Sequence, residues 1–276
     1  MSFLSKTLLS TRHAVDGRRR ERPLDAIQAN LVPRSDDRVF LNALRSPGVS
    51  VIAEFKRRWP SAKPQDLPRD PNLREIVADY ERAGACAVSI LTENPSFDGS
   101  HDDLRSARQV CNLPLLDKDF IIDEYQVYEA ADAGADAILL IGAAFADATE
   151  FSCLHAVARE LHLDVLVEVR SEEELDRALD VGSDLIGINN RDLKTLTIDP
   201  EVTRQLVAHI PSDADVTVVS ESGLRTSGDL NALDRRVGGV LVGAALMTAD
   251  DRYATCREFV EVGAQQGIDS THPAFA

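Results

Sequence analysis

The chain has no apolar run approaching the roughly 18 uninterrupted residues that a membrane helix requires, so no membrane association is expected. Its first twenty residues carry Lys6, Arg12, Arg18, Arg19 and Arg20 but no apolar core leading to a cleavage site, so no secretory signal is expected. Cysteine is sparse and dispersed: Cys86, Cys111, Cys153 and Cys256 form no CxxC pair. That opposes a zinc ribbon or a disulfide scaffold and predicts a reducing, cytoplasmic setting. Basic residues are outnumbered, 30 against 46 acidic, for a net charge of −16. A nucleic-acid role is therefore excluded, because affinity for a phosphate backbone comes from an excess of cations. Lysine is the scarcest charge: only Lys6, Lys56, Lys63, Lys118 and Lys194. Arginine preference combined with an acidic excess reads as adaptation to concentrated salt, where screening removes self-repulsion.

What is present is regular. The 276 residues, 44% hydrophobic, suffice for one large domain or two small ones. Short Val/Ile/Leu-rich runs fall at 49–55, 86–92, 114–119, 137–142, 164–169, 185–190, 217–222 and 239–243. Such runs suit strands buried on both faces of a parallel sheet. Helical patterns separate them at 73–83, 123–133, 150–161, 171–181, 200–210 and 226–236, and a last one follows at 251–266. Gly84, Gly134 and Gly182 stand at helix ends, and Ser171 with Glu174 reads as a capping box. Eight units in about 230 residues predict an α/β fold, a (β/α)₈ TIM barrel. An open doubly wound sheet is the alternative, but it usually carries a GxGxxG turn, which is missing here.

Residues 1–48 form a helical extension with patterns at 24–31 and 37–45, residues 49–267 the barrel, and 268–276 a tail, within a single domain overall. The extension could close the barrel floor, reach the mouth, or lie on the surface as a helix hairpin. The stretch 57–72, with Pro60, Pro64, Pro68 and Pro71, reads as a lid or binding loop.

In such barrels the active site lies where strands end. Reading those positions yields Glu54 and Lys56, Lys118, Glu168, Asn189, Glu221 with Ser222, and Gly243. Strand alternation points Glu54 and Lys56 the same way, into the mouth if Ile52 lines the interior. Lys118 shares a face with Leu116 and Phe120, whereas Asp117 and Asp119 point away. Each ionisable residue alone could belong to a structural ion pair. Five of them ending apolar strands one, three, five and seven favour a reacting site, because desolvating them is costly. Two of only five lysines stand there, and Lys can move a proton where Arg practically cannot. Lys6 and Lys63 read as solvated, and Lys194 is open. Ser222–Gly223 and Gly243–Ala244 close strands seven and eight, where backbone N–H groups often cradle a phosphate, with Lys56 as counter-charge. His13, His101, His155, His162, His209 and His272 are scattered and read as surface or packing residues.

Several stretches carry a closer likeness. Ile52-Ala53-Glu54-Phe55-Lys56, Ser89-Ile90-Leu91-Thr92-Glu93 with Phe97-Asp98-Gly99-Ser100, and Leu116-Asp117-Lys118-Asp119-Phe120 come first. Leu166-Val167-Glu168-Val169, Ile186-Gly187-Ile188-Asn189-Asn190-Arg191-Asp192-Leu193, Val219-Ser220-Glu221-Ser222-Gly223 and Leu241-Val242-Gly243 follow. In this order they resemble the indole-3-glycerol phosphate synthase family over nearly the whole barrel, including its N-terminal extension. The resemblance implies a carboxy-lyase of tryptophan biosynthesis that closes 1-(2-carboxyphenylamino)-1-deoxyribulose 5-phosphate to an indole, losing CO₂ and water. It implies no metal and no organic cofactor. Lys118 would be the general acid and Glu168 the partner of the cationic arene. Lys56 and Glu54 would serve the dehydration, unless Lys118 and Glu168 act twice. Asn189 and Glu221 would hold hydroxyls and orient Lys118. Substrate and phosphate contacts would come from Lys56, Ser222, Gly223, Gly243, Ala244 and Arg191, and the ring pocket from Phe97, Phe120, Leu139 and Leu193.

Two positions depart from the family pattern. Trp59-Pro60-Ser61 stands where Ser-Pro-Ser is common, and Ala244 replaces a phosphate-binding Ser, a loss on the order of 1 kcal/mol of binding. Two other readings compete. Phosphoribosylanthranilate isomerase would need a Cys/Asp pair at the mouth, but Cys86 begins its strand. A non-catalytic metabolite-binding barrel would not need two lysines and three carboxylates. The expected partner is one anionic, phosphorylated small molecule. A monomer is expected, with weak self-association as the alternative.

Overall fold

The computed structural model describes residues 1–32, 39–60, 62–63 and 71–266. After an N-terminal helical segment, α1 (Phe3–Glu21), α2 (Leu24–Gln28) and α3 (Phe40–Leu44), the chain enters β1 (Ser50–Phe55) and α4 (Leu73–Ala83). It continues through β2 (Ala87–Leu91), α5 (Asn94–Phe97), α6 (His101–Arg108), β3 (Leu115–Lys118), α7 (Glu124–Ala133), β4 (Ala137–Ile141) and α8 (Ala148–Glu160). Then come β5 (Asp164–Val169), α9 (Glu172–Asp180), β6 (Leu185–Asn189), α10 (Glu201–His209), β7 (Thr217–Glu221), β8 (Val237–Val242), α11 (Ala244–Met247) and α12 (Arg252–Gln265). The eight strands are parallel and close in sequence order, β8 pairing with β1. This is the TIM barrel that the sequence pattern predicts.

Strand parity sorts the side chains into two cores. Ile52, Ala87, Leu116, Ala137, Leu139, Leu166, Leu185, Val219 and Leu241 fill the barrel interior. Their alternates, among them Val51, Ala53, Val88, Ile90, Ile138, Leu140 and Val167, pack outward against the helices. Both sets are buried, which explains why the strands read as continuous apolar runs rather than alternating ones. Gly84, Gly134 and Gly182 all adopt positive φ (93°, 91° and 73°), ending their helices as expected. Ser171 Oγ accepts the Glu174 N–H, but the return bond goes to the N–H of Arg170 rather than Ser171. The complete capping box lies at Thr226 and Asp229 instead.

The N-terminal expectation needs correction. A 19-residue helix, α1, occupies a stretch where no helix is predicted. The 24–31 pattern shortens to α2; of the 37–45 pattern, α3 is the part within the described residues, and its start lies outside them. Floor and mouth are both occupied, by different elements. Phe40, Leu41 and Leu44 of α3 join the interior cluster from below, and the Leu41 N–H donates to Asp164 at the start of β5 (2.9 Å). At the other end the Leu4 N–H donates to the Leu193 carbonyl (3.1 Å) and Phe3 packs edge-on to Phe120. Arginine–carboxylate pairs hold α1 and the residue after it to α7 and its cap: Arg18–Glu129, Arg19–Asp123 and Arg22–Asp132. The helix expected at 226–236 is a single 3₁₀ stretch, Ser227–Ala232, and α6 forms where none is expected. Most of the loop expected at 57–72 and the tail 268–276 lie outside the described residues.

Candidate active site

Register brings the functional ends together. Cα pairing sets Leu91 beside Lys118, Ile141 beside Glu168 and Asn189 beside Glu221, all at the C-terminal rim. A cavity opens there. Its wall includes Glu54, Lys56, Phe97, Lys118, Phe120, Leu139, Glu168, Asn189, Arg191, Leu193, Ser222, Gly223, Gly243 and Ala244. Every candidate from the sequence lines it except Glu221, which lies buried just beneath.

Three carboxylates surround the Lys118 ammonium. Glu221 Oε2 accepts a short hydrogen bond from it, Glu54 Oε2 lies 3.9 Å away, and Glu168 acts on it through its charge. Burial alone would lower the pKa of Lys118. The charges of Glu221, Glu54 and Glu168 outweigh burial and raise its pKa above the ordinary lysine value. Glu54 bridges the two lysines, since its Oε1 accepts a short hydrogen bond from Lys56 Nζ. Glu168 is pushed up to about 7, first by burial and then by the charge of Glu221, against the opposing pull of Lys118 and a hydrogen bond from Asn189. Asn189 is oriented for that bond because its Oδ1 accepts the Arg191 N–H (2.9 Å). Burial lowers the pKa of Arg191 itself, and Glu54 partly restores it.

Two glycines make this cluster possible. A Cβ at Gly187 would overlap Glu221 Oε1, and one at Gly243 would overlap Glu54 Oε1 and stand 2.6 Å from Lys56 Nζ. Only glycine lets the backbone approach so closely. After β7, Ser222 takes φ +65°, unusual for a residue with a side chain; its carbonyl is fixed by the Asn190 side-chain amide (3.0 Å). The strained turn sets Ser222 and Gly223 on the cavity rim after β7, on the same side of the mouth as Gly243 after β8 and Lys56 after β1.

Several contributors escape the sequence reading. Phe3 comes from α1, while Leu196, Leu224 and Leu241 come from later loops and β8, and all line the cavity. Phe97, expected in the ring pocket, sits in the short α5, its helix capped by Glu93 Oε2 accepting from the Ser96 and Phe97 N–H groups. Asp119 reaches the cavity edge although its carboxylate turns away, accepting from the Phe120 N–H and Gln126 Nε2. His101 is not a surface or packing histidine. It is half-buried, with Nε2 3.1 Å from Asp117 Oδ2, and Thr92 Oγ1 donates to the other oxygen of Asp117 (2.5 Å). Burial lowers the His101 pKa, but Asp117, with help from Asp119, raises it above the usual value. The signal was present in Asp117, an acidic residue on the helix-facing side of a buried strand. Lys6, Lys63 and Lys194 are exposed. Cys86 precedes β2 at the opposite end of the barrel from the cavity. Among the described residues no group of His, Cys, Asp and Glu could hold a metal ion, and no helix is long and apolar enough to cross a membrane.

A closed (β/α)₈ barrel with an acid–base cluster at its C-terminal mouth defines an enzyme of proton-transfer chemistry. The model of the family "Indole-3-glycerol phosphate synthase" matches residues 4–259. The chain is 42% identical over 265 residues to indole-3-glycerol phosphate synthase 2 of Streptomyces coelicolor, covering 94% of this chain and 100% of that one. It is also 42% identical over 239 residues to the indole-3-glycerol phosphate synthase of Caldanaerobacter subterraneus subsp. tengcongensis, covering 86% and 89%. The thiamine phosphate pyrophosphorylase of Pyrococcus furiosus shares the fold, with a TM-score of 0.58 at 20% identity over 82% of this chain and 98% of that one. The chain belongs to the indole-3-glycerol phosphate synthase family.

Proposed function

We propose that the cavity converts 1-(2-carboxyphenylamino)-1-deoxyribulose 5-phosphate to indole-3-glycerol phosphate, CO₂ and water. The observation that carries this reading is the caged ammonium of Lys118 beside an apolar wall of Phe97, Phe120, Leu139 and Leu193. The wall receives the anilino ring. The ring carbon bearing the carboxylate attacks the ribulose ketone while Lys118 donates a proton to the ketone oxygen. The arene becomes cationic, and ionised Glu168 stabilises it. Loss of CO₂ returns the bonding pair to the ring. The new hydroxyl then leaves as water, needing one more proton donated and one removed. Glu54, lying between Lys56 and Lys118, links the groups available for this step.

Glu221 acts by holding Lys118, since it is covered and does not face the cavity. Asn189 aligns Glu168, and Arg191 with Lys56 meets the anionic substrate. Ser222, Gly223, Gly243 and Ala244 offer their backbone N–H groups to the phosphate. A reducing, cytoplasmic location is supported by four free thiols, and we place the enzyme there as a single-domain monomer. Incubating the purified protein with the anilino-ribulose phosphate and following indole fluorescence tests the reaction. Lys118→Met should lower turnover at least about a hundredfold while the circular dichroism spectrum is retained. Near-normal turnover in that variant would remove Lys118 from the acid role.

A further inference from the structure

Trp59 is the chain's only tryptophan and lies just after β1, on the cavity wall beside Pro60. Its ring centroid is 5.4 Å from the Lys56 ammonium, within the range of a cation–π contact. The ring is half-buried and packs against the outer core. Lys56 is thereby confined from three directions. Glu54 Oε1 accepts its hydrogen bond, the backbone at Gly243 closes one side, and the indole closes another. Without the ring, a lysine on a four-carbon stem could swing toward solvent and leave Glu54 to Lys118 alone.

We propose that Trp59 is a positioning residue that holds the Lys56 ammonium at the cavity edge where the anionic substrate enters. This role rests on the reading of the cavity as the substrate site. A small hydroxyl side chain at this position could offer the substrate one hydrogen bond. The indole gives up that bond and instead constrains a cation already present. The mode of constraint suits concentrated salt, because a face-to-cation contact that is partly desolvated is screened less than an exposed ion pair.

The test uses the full chain and the unreactive alcohol obtained by reducing the substrate's ketone, with binding measured by calorimetry. Trp59→Leu keeps an apolar wall but removes the π face, and should weaken binding about two- to thirtyfold. Trp59→Phe should recover most of that loss. In a Lys56→Met background, Trp59→Leu should weaken binding no further, because the cation on which the ring acts is absent. Equal loss from Trp59→Leu in both backgrounds would make the ring a simple wall and overturn the proposal. So would wild-type affinity in Trp59→Leu. Folding of each variant is checked by thermal melting. If wild-type protein fails to bind the alcohol or to turn over the substrate, the functional reading fails instead, which separates the two outcomes.

Discussion

Replacing Glu168 with glutamine should make the protein more stable and nearly inactive. Glu168 is 4% exposed, and its pKa is pushed up from the ordinary 4.5 to about 7. A folded-state value above the unfolded one means that the group favours folding fully below pH 4.5. That contribution is lost as pH rises through about 7. At about 1.4 kcal/mol for each tenfold, keeping the carboxylate ionised at pH 8 costs the fold about 3 kcal/mol. Glutamine has the same shape, keeps a partner for Asn189 and carries no charge. Glu168→Gln should therefore raise the melting temperature at pH 8 by on the order of 10 °C, and the gain should shrink to nothing near pH 4. Turnover should fall about a hundred- to a thousandfold through loss of the anionic partner of the arene. In the wild type, kcat should rise with pH through about 7 as Glu168 ionises. The assay is paired melting curves from pH 4 to 8 with turnover at pH 8. A variant less stable than wild type at pH 8, or a gain independent of pH, would refute the reasoning that burial and the charge of Glu221 make an ionised Glu168 costly to the fold.

Three further outcomes follow from other parts of the molecule. Gly243→Ala places a methyl group against Glu54 and Lys56 and should lower kcat/KM at least about tenfold by displacing the pair, with less than about 2 kcal/mol of destabilisation in urea. His101→Leu leaves Asp117 buried without its ionic partner. It should cost about 3–5 kcal/mol at pH 6, measured by urea unfolding, and less above the raised His101 pKa, where the wild type itself has lost the charge. Finally, the net charge of −16 predicts a melting temperature higher in molar salt than in dilute buffer; equal temperatures would end the salt-adaptation reading.

The barrel was legible because each strand is buried on both faces and helices such as α4, α9 and α10 carry a clear apolar stripe. Helix α4 was delimited to the residue: its buried positions Leu73, Ile76, Val77, Tyr80 and Ala83 keep strict helical spacing. Helix α1 escaped because two of its four buried positions are Thr7 and Thr11, which break the apolar periodicity. The 226–236 stretch misled because Leu230 and Leu233 are three apart, a spacing that a 3₁₀ turn satisfies as well as an α-helix. At the site, parity sufficed to turn Glu54, Lys56 and Lys118 inward. It could not reveal Phe3, which a separate helix brings to the rim, nor the contact of Trp59 with Lys56, which depends on how a loop folds back. Parity also left Glu221 and Glu168 indistinguishable, although only Glu168 faces the cavity.

The scarcity of amines and indoles has a spectroscopic consequence. Of five lysines, Lys56 and Lys118 stand at the cavity and the other three are exposed, and the single indole touches Lys56. Selectively nitrogen-15-labelled lysine would give five side-chain ammonium signals, and the two protected from exchange would belong to the cavity. Fluorescence excited at the indole would come from one ring at the cavity wall, undiluted by any other. The ammonium groups and the indole of this cavity can thus be watched individually in the intact molecule, without any substitution or attached probe.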